Sequence, residues 1–224
     1  MKLIIALLFC ALAFTEVSGQ KIGKFGSSVE KRIGPKKVRV PYTSVISYLG
    51  YAEEGSEDEI RDGKKYTYIY VWIPAVAPEL GLRMVSPADG KKIDDPIKAS
   101  SFDMHASDKD YFDTYITLEK SSLLSLSDVS EQSVSDATWT LLEWNDDSSE
   151  LPKQPSGKKY NSLLRYKSDT GNPLKALSVG LYRVGFTTFK RGEVKGTFLA
   201  QIGAPIQLPG VIVSREIKDF VQAQ

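Results

Sequence analysis

The alternation of apolar and polar positions predicts a protein built mainly from β-strands. Residues 65–73 (KYTYIYVWI) are rich in aromatic and β-branched side chains, which suit a pleated sheet, and Pro74 ends the run. Residues 75–81 are compatible with a helical turn. Shorter runs of the same kind predict further strands at residues 42–51, 82–85, 112–118, 138–144 and 160–166.

The clearest hairpin signal lies near the C-terminus. Residues 179–190 and 194–203 are two strand-like runs, and the turn-prone residues 191–193 separate them. In the first run, Tyr182, Val184 and Phe186 share one face, whereas Leu181 and Phe189 lie on the other. About eight strands joined by long loops predict an all-β fold with short helices, in the form of a jelly-roll-like β-sandwich.

The N-terminus has the pattern of a signal peptide. Lys2 supplies a positive charge, residues 3–14 are apolar, and the small residues of Val17-Ser18-Gly19 precede a cleavage point. Because the apolar run is shorter than the roughly 20 residues that span a bilayer, we predict export rather than a transmembrane segment. The predicted organisation is a signal peptide at 1–19, a flexible leader at 20–36 and one domain at 37–224.

Cysteine content and charge exclude several classes of function. Cys10 is the only cysteine, and it lies inside the apolar run, so cleavage after Gly19 leaves a mature chain without thiols. Disulfides, thiol catalysis and a lipid-acceptor cysteine are therefore not expected. The net charge of +1 gives no general attraction for nucleic acid.

The residues that could carry chemistry are few. His105 is the only histidine, which disfavours a zinc site of histidine and cysteine ligands, and no G-x-S-x-G motif presents a nucleophilic serine. The acids cluster in loops, as in Asp146-Asp147, where a solvated turn and a site for an oxygen-seeking cation are both possible. A jelly-roll glycosidase stays open as an alternative, and exposed aromatic residues such as Trp139 leave a carbohydrate-binding module open.

Long segments resemble one known family. Residues 41–51, 68–76, 81–87, 112–116 and 180–196 are similar, in the same order, to the major surface lipoprotein of pathogenic leptospires, also called haemolysis-associated protein. The resemblance implies a non-catalytic, calcium-binding jelly roll of the outer envelope, often dimeric. It also implies adhesion to laminin, collagen and fibronectin, and to plasminogen.

The resemblance also implies the residues of a Ca²⁺ site. Asp113-Thr114 matches the family's Asp-Thr pair on a strand, and Tyr160 matches the tyrosine of its Tyr-Asn-Ser-Leu segment, with Asp146 and Asp147 before it in the loop. The predicted ligands are Asp113, Thr114, Asp146, Asp147 and Tyr160, the last through its main-chain carbonyl. No catalytic residue is assigned.

Three departures from the family limit what carries over, and one of them is that the family's long acidic run is cut down to residues 145–150. Gln20 stands where the family has its lipidated cysteine, so we expect an exported protein without that anchor, in the envelope or secreted. The family's long helical tail, implicated in matrix binding, is replaced here by residues 215–224, enough for one short helix. We therefore expect matrix adhesion to be weak or absent.

Overall fold

The structure is a computed structural model that describes residues 25–88, 93, 95–192 and 194–224. The predicted signal peptide at 1–19 and residues 20–24 of the predicted leader lie outside the described residues. Within the described ranges, the strands are β1 (Gly26–Ile33), β2 (Lys36–Pro41), β3 (Ser44–Ala52), β4 (Glu59–Arg61), β5 (Lys64–Ile73), β6 (Glu79–Val85), β7 (Ile97–Lys98), β8 (Thr114–Ser121), β9 (Trp139–Asn145), β10 (Ser162–Lys167), β11 (Gly180–Thr188), β12 (Gly196–Ala204) and β13 (Ile212–Ser214). The helices are α1 (Phe102–His105), α2 (Glu131–Asp136) and α3 (Ile217–Gln222), with a 3₁₀ helix at Leu126–Asp128.

Two sheets pack face to face and confirm the predicted all-β sandwich. One sheet has the order β10-β6-β12-β3-β7, and the other has the order β13-β5-β11-β8-β9, with β4 paired to β5. The central strands β3-β12-β6-β10 and β5-β11-β8-β9 are all antiparallel and follow the strand order of a jelly roll.

The main core lies between the sheets because the inward positions of their strands are apolar. In β5, Ile69, Val71 and Ile73 are at most 3% exposed and belong to this core. In β11, Tyr182 and Phe186 are also buried and belong to this core. The opposite face of the second sheet carries a smaller cluster with Trp72, Leu181 and Phe220. The division of β11 into two faces is as the sequence predicts.

The predicted hairpin of residues 179–203 is wrong. Strand β11 pairs with β5 and β8, whereas β12 pairs with β3 and β6 in the other sheet. The connection therefore crosses the sandwich instead of turning back within one sheet. Both strands are buried along nearly their whole length, so each is a central strand that needs two neighbours. The predicted helical turn at 75–81 is also absent, since β6 begins at Glu79.

The predicted flexible leader contains a strand. β1 pairs with β2 as an antiparallel hairpin, and Gly34 in the turn has a φ of +59°, which favours glycine. Phe25 packs on Tyr42 with ring centroids 4.8 Å apart. The folded domain therefore begins before residue 37. The sequence did not indicate β1 because both strands of the hairpin are largely exposed and are therefore rich in polar residues such as lysine and serine.

The C-terminal end of the chain is helical, as residues 215–224 predict. α3 covers Ile217–Gln222, and its Ile217 and Phe220 are buried against the second sheet. Across the described ranges, no helix has the length and apolar character needed to cross a bilayer.

Candidate metal centre

Three chain segments bring the predicted ligands together at one end of the sandwich. Asp113 and Thr114 stand at the start of β8, Asp146 and Asp147 follow the end of β9, and Tyr160 precedes β10. β8 and β9 are paired neighbours, with Ile116 opposite Asn145. The Thr114 amide donates to the Tyr160 carbonyl at 3.0 Å, which ties β8 to the segment that leads into the other sheet.

A buried hydroxyl pair holds these segments in place. The hydroxyl oxygens of Thr114 and Ser162 lie 2.7 Å apart, and neither side chain is accessible to solvent. The Ser162 hydroxyl also lies 2.8 Å from the Thr114 carbonyl and 2.9 Å from the Asp146 carbonyl. One serine on β10 thus fixes the backbone of both acidic segments.

Ser162 and Gln154 were missed by the sequence reasoning. Gln154 is 4% exposed, and its amide nitrogen donates to the carbonyls of Phe112 at 2.6 Å and Tyr160 at 3.2 Å. Ser162 lies two residues after Tyr160 in the strand predicted at 160–166, so both residues belong to the same face, and this spacing could have indicated the serine. Gln154 lies in an irregular loop and had no such signal.

The Tyr160 carbonyl, one of the predicted ligands, already accepts several hydrogen bonds within the protein. It accepts hydrogen bonds from the Thr114 amide, from the Thr114 hydroxyl at 3.1 Å and from the Gln154 amide. A carbonyl oxygen has two lone pairs, so a cation at this oxygen would displace one of the side-chain donors. The Thr114 hydroxyl is the donor that a cation could release and then use as a ligand.

The three aspartates form a group of like charges. Burial, together with the negative charges of Asp147 and Asp146, raises the pKa of the Asp113 carboxyl to about 6. Burial and the charge of Asp146 also raise the pKa of Asp147. The Asp113 Oδ1 atom is buried and has no hydrogen-bond partner. Such an orphaned oxygen among acids is an arrangement that a cation would relieve.

The carboxylates are close enough to repel but do not form a closed cage. Among the residues that the structure describes, no three acidic, histidine or cysteine side chains lie close enough together to hold a metal ion. Any cation here would therefore rely on hydroxyl and carbonyl oxygens as well, and would draw the Asp146-Asp147 segment towards Asp113. Oxygen donors alone suit Ca²⁺ rather than a metal that prefers nitrogen or sulfur.

His105 takes no part in this group. Its Nδ1 lies 2.8 Å from an Asp108 carboxylate oxygen, and its ring stacks on Tyr51 with centroids 3.7 Å apart. Its side chain is 29% exposed, so it is packed rather than freely solvated. Its partners give it a structural role.

The buried carboxyl of Glu119 does not have the properties of a glycosidase general acid. Burial alone would raise the pKa of Glu119, but the guanidinium groups of Arg61 and Arg183 outweigh burial and lower it. A general acid in glycoside hydrolysis needs a raised pKa. Glu119 is therefore held as a paired carboxylate and is unsuited to donate a proton.

Comparison with known proteins gives one clear match. The family model Lipl32, described as a surface lipoprotein of the order Spirochaetales, matches residues 36–213. The matched range includes all five predicted ligands and nearly all of the jelly roll. A comparison with curated protein sequences found no match.

Proposed function

The chain belongs to the Lipl32 family of surface lipoproteins of Spirochaetales, and from this premise we propose that it is an exported, non-catalytic envelope protein that binds Ca²⁺. The family match supports the location at the cell surface. The oxygen atoms gathered between the ends of β8, β9 and β10 support the cation. The single observation that carries the proposal is the buried Asp113 Oδ1, which has no hydrogen-bond partner and lies in a group of three aspartates.

The proposed ligands supply enough oxygens for calcium. Asp113, Asp146 and Asp147 provide carboxylates, Thr114 a hydroxyl and Tyr160 its main-chain carbonyl, and water completes the six to eight oxygens that Ca²⁺ takes. Three carboxylates around a doubly positive ion leave a charge of −1. The ion removes the mutual repulsion of the acids and joins the two sheets at this end.

Calcium should therefore stabilise the fold. A ligand that binds only the folded state adds about 2.7 kcal/mol at one hundred times its dissociation constant, or about 5–10 °C in melting temperature for a domain of this size. The experiment compares melting temperatures in Ca²⁺ and in Mg²⁺ at equal concentration, for the wild type and for Asp146→Ala/Asp147→Ala. We expect the calcium-specific rise in the wild type alone.

A matched control removes the same charge elsewhere. Glu53 and Glu54 lie in an exposed acidic loop, and Glu53→Ala/Glu54→Ala should keep the full response to calcium. Tyr160→Phe should also keep it, because Tyr160 is assigned through its carbonyl. Equal melting temperatures in Ca²⁺ and Mg²⁺ for every variant would contradict the site.

The remaining expectations from the resemblance belong to the same proposal. Laminin, collagen, fibronectin and plasminogen are the proposed but weak partners, and a homodimer is the proposed assembly. The balanced charge of the chain supports weak adhesion. The glycosidase alternative gains no support from Glu119, because that carboxylate is paired with Arg61 and Arg183.

A further inference from the structure

The outward face of the second sheet is rich in aromatic side chains. Alternation along β5 sends Tyr66, Tyr68 and Tyr70 to the side opposite the core residues Ile69 and Val71. The neighbouring strands β8 and β9 add Tyr115, Trp139 and Trp144 to this side. We call this surface, between β4 and β9, the aromatic face.

Two hollows adjoin on the aromatic face and share Trp139 as a wall. One measures about 270 Å³ and is lined by Arg61, Tyr115 and Thr117 among others. The other measures 400 Å³ and contains Tyr68 and Arg183. Sites for small molecules fall at about 300–1,000 Å³, so the two hollows together suit a ligand longer than one small ring.

Flat ring surfaces are open to solvent at one end of this face. Trp144 is 47% exposed and stacks on Tyr115, with centroids 5.5 Å apart and planes 14° apart. The Lys64 ammonium lies 3.8 Å from the Tyr115 ring centroid, and Leu141 is 52% exposed beside them. An exposed indole of this kind offers a platform for another flat, partly apolar group.

Carboxylate and guanidinium groups lie beside the rings, and they are already paired with groups of opposite charge. Glu119 pairs with Arg61 at 2.6 Å and with Arg183 at 2.7 Å, and Arg183 lies 4.3 Å from the ring centroids of both Tyr68 and Trp139. In the first hollow, Arg61 and Lys64 face Asp62 and Glu119, so the charges balance. The second hollow has more acids than bases. Neither hollow favours an anionic ligand.

One buried hydroxyl points to a ligand that can form hydrogen bonds. Thr117 is 3% exposed and lines the first hollow, and its Oγ1 has no hydrogen-bond partner in the protein. A buried polar atom without a partner is costly, so a group that bonds to it gains binding free energy. This observation is independent of the exposed rings.

We propose that the aromatic face binds a neutral carbohydrate chain. A pyranose ring has an apolar face of C–H groups, which suits stacking on Trp144 and Trp139, and a rim of hydroxyls that both donate and accept. Arg61 and Glu119 supply a donor and an acceptor side by side, and Thr117 supplies a hydroxyl. The proposal concerns a surface distinct from the ligand set of the metal centre and does not depend on bound calcium.

The experiment titrates the full-length exported protein, with calcium in excess, against defined hexasaccharides. The neutral probes are α- and β-linked oligomers of glucose, mannose, galactose and N-acetylglucosamine; heparan sulfate and a collagen-like peptide serve as anionic and protein arms. Tryptophan fluorescence reports on the face, because of the three tryptophans Trp72 is 5% exposed and the others lie at the proposed site. We expect at least one neutral probe to bind with a Kd below about 1 mM.

Three variants locate the binding. Trp144→Ala should weaken it at least tenfold, Trp144→Phe should restore part of it, and Thr117→Val, which keeps the shape of the side chain, should weaken it severalfold. Leu174→Ala removes an 80% exposed apolar side chain away from the face and should change nothing. An unchanged melting temperature shows that a variant is folded.

Four results would overturn the proposal. They are no neutral probe binding below about 1 mM, equal binding by wild type and Trp144→Ala, binding of heparan sulfate alone, and binding of the peptide alone. If Trp144→Ala still shows the rise in melting temperature with calcium, the metal centre is intact. A failure of carbohydrate binding is then separate from a failure of the metal centre.

Discussion

Glu119 is the most heavily paired acid on the aromatic face. Its side chain is 3% exposed and contacts the guanidinium groups of Arg61 and Arg183, which themselves lie against Tyr66 and Tyr68. A buried charge of this kind depends on its partners, because removal of one side leaves the others unpaired in a place poor in water. The ion pairs thus fix how the outer strands β4, β5, β8 and β11 present their side chains.

Glu119→Gln should destabilise the protein in a pH-dependent way. The pKa of Glu119 is lowered in the folded protein, so its contribution is present above the ordinary pKa of a glutamate and is lost as pH falls through the lowered value. Removing one partner of a buried pair costs about 3 kcal/mol or more. Thermal unfolding at neutral pH should show a large gap from wild type, and the gap should narrow in acid.

The control for this variant is Glu54→Gln, an exposed acid whose loss should leave the unfolding temperature unchanged. A gap between wild type and Glu119→Gln that stays constant down to strongly acid pH would show that the charge of Glu119 is not what stabilises the fold.

At the candidate metal centre, the sequence pointed only to residues whose oxygen atoms are of the kind that bind hard cations. The loop acids Asp146 and Asp147 left a solvated turn and a cation site both open, and the resemblance to the family supplied Asp113, Thr114 and Tyr160. The buried pair of Thr114 and Ser162 depends on β8 and β10 coming from different sheets. No pattern along the chain specifies that approach, so the role of Ser162 followed only from the fold.

Among the elements, β6 and β12 are shaped by a pair of glycines. Gly81 and Gly203 lie opposite each other on these paired strands, and together they leave a flat slot for the Tyr42 ring. A Cβ at Gly81 would come within 2.1 Å of the Tyr42 ring, and at Gly203 within 2.9 Å. The slot lets the Tyr42 hydroxyl donate to the buried Glu79 at 2.7 Å.

Gly81→Ala should therefore destabilise the fold by about 1–3 kcal/mol, the usual cost of forcing a group into a packed site. Chemical denaturation measures this directly as a lower unfolding midpoint. Gly171→Ala is the matched control, because only the flexible Asp169 carboxylate, at 3.3 Å, lies near its new methyl group. If the two variants had equal midpoints, the slot would be of no importance to stability.

Strands were predictable from composition, but their partners were not. The run at 65–73 reads as a strand because aromatic and β-branched residues fill both faces of β5, and the structure has it at Lys64–Ile73. The pairing of β11 with β5 and β8 joins residues up to 119 positions apart. A short turn-prone sequence such as 191–193 favours a hairpin locally, and the burial of both flanking strands overrides that preference.

At the scale of the whole molecule, the chain combines a jelly roll with an N-terminal export pattern. The pattern of Lys2, the apolar run and Val17-Ser18-Gly19 predicts cleavage after Gly19. Mass spectrometry of the native protein should find Gln20 at the mature N-terminus and no attached lipid. An acylated Cys10 at the N-terminus would contradict this and would imply a membrane anchor.

Adhesion is the property for which the whole-molecule charge matters most. A net charge of +1 gives little long-range attraction to a charged matrix protein. Surface binding to immobilised laminin and collagen, against an albumin-coated control surface, should give a Kd weaker than about 1 μM. Saturable binding tighter than this would place adhesive contacts in the jelly roll itself.

The central claim is the single calcium ion between the ends of β8, β9 and β10. Calorimetric titration of the metal-free protein tests it most directly, since it counts bound ions as well as measuring affinity. The site predicts one Ca²⁺ per chain in the wild type and in Glu53→Ala/Glu54→Ala, and none in Asp146→Ala/Asp147→Ala. No calcium heat in the wild type, or the same stoichiometry in all three proteins, would contradict it.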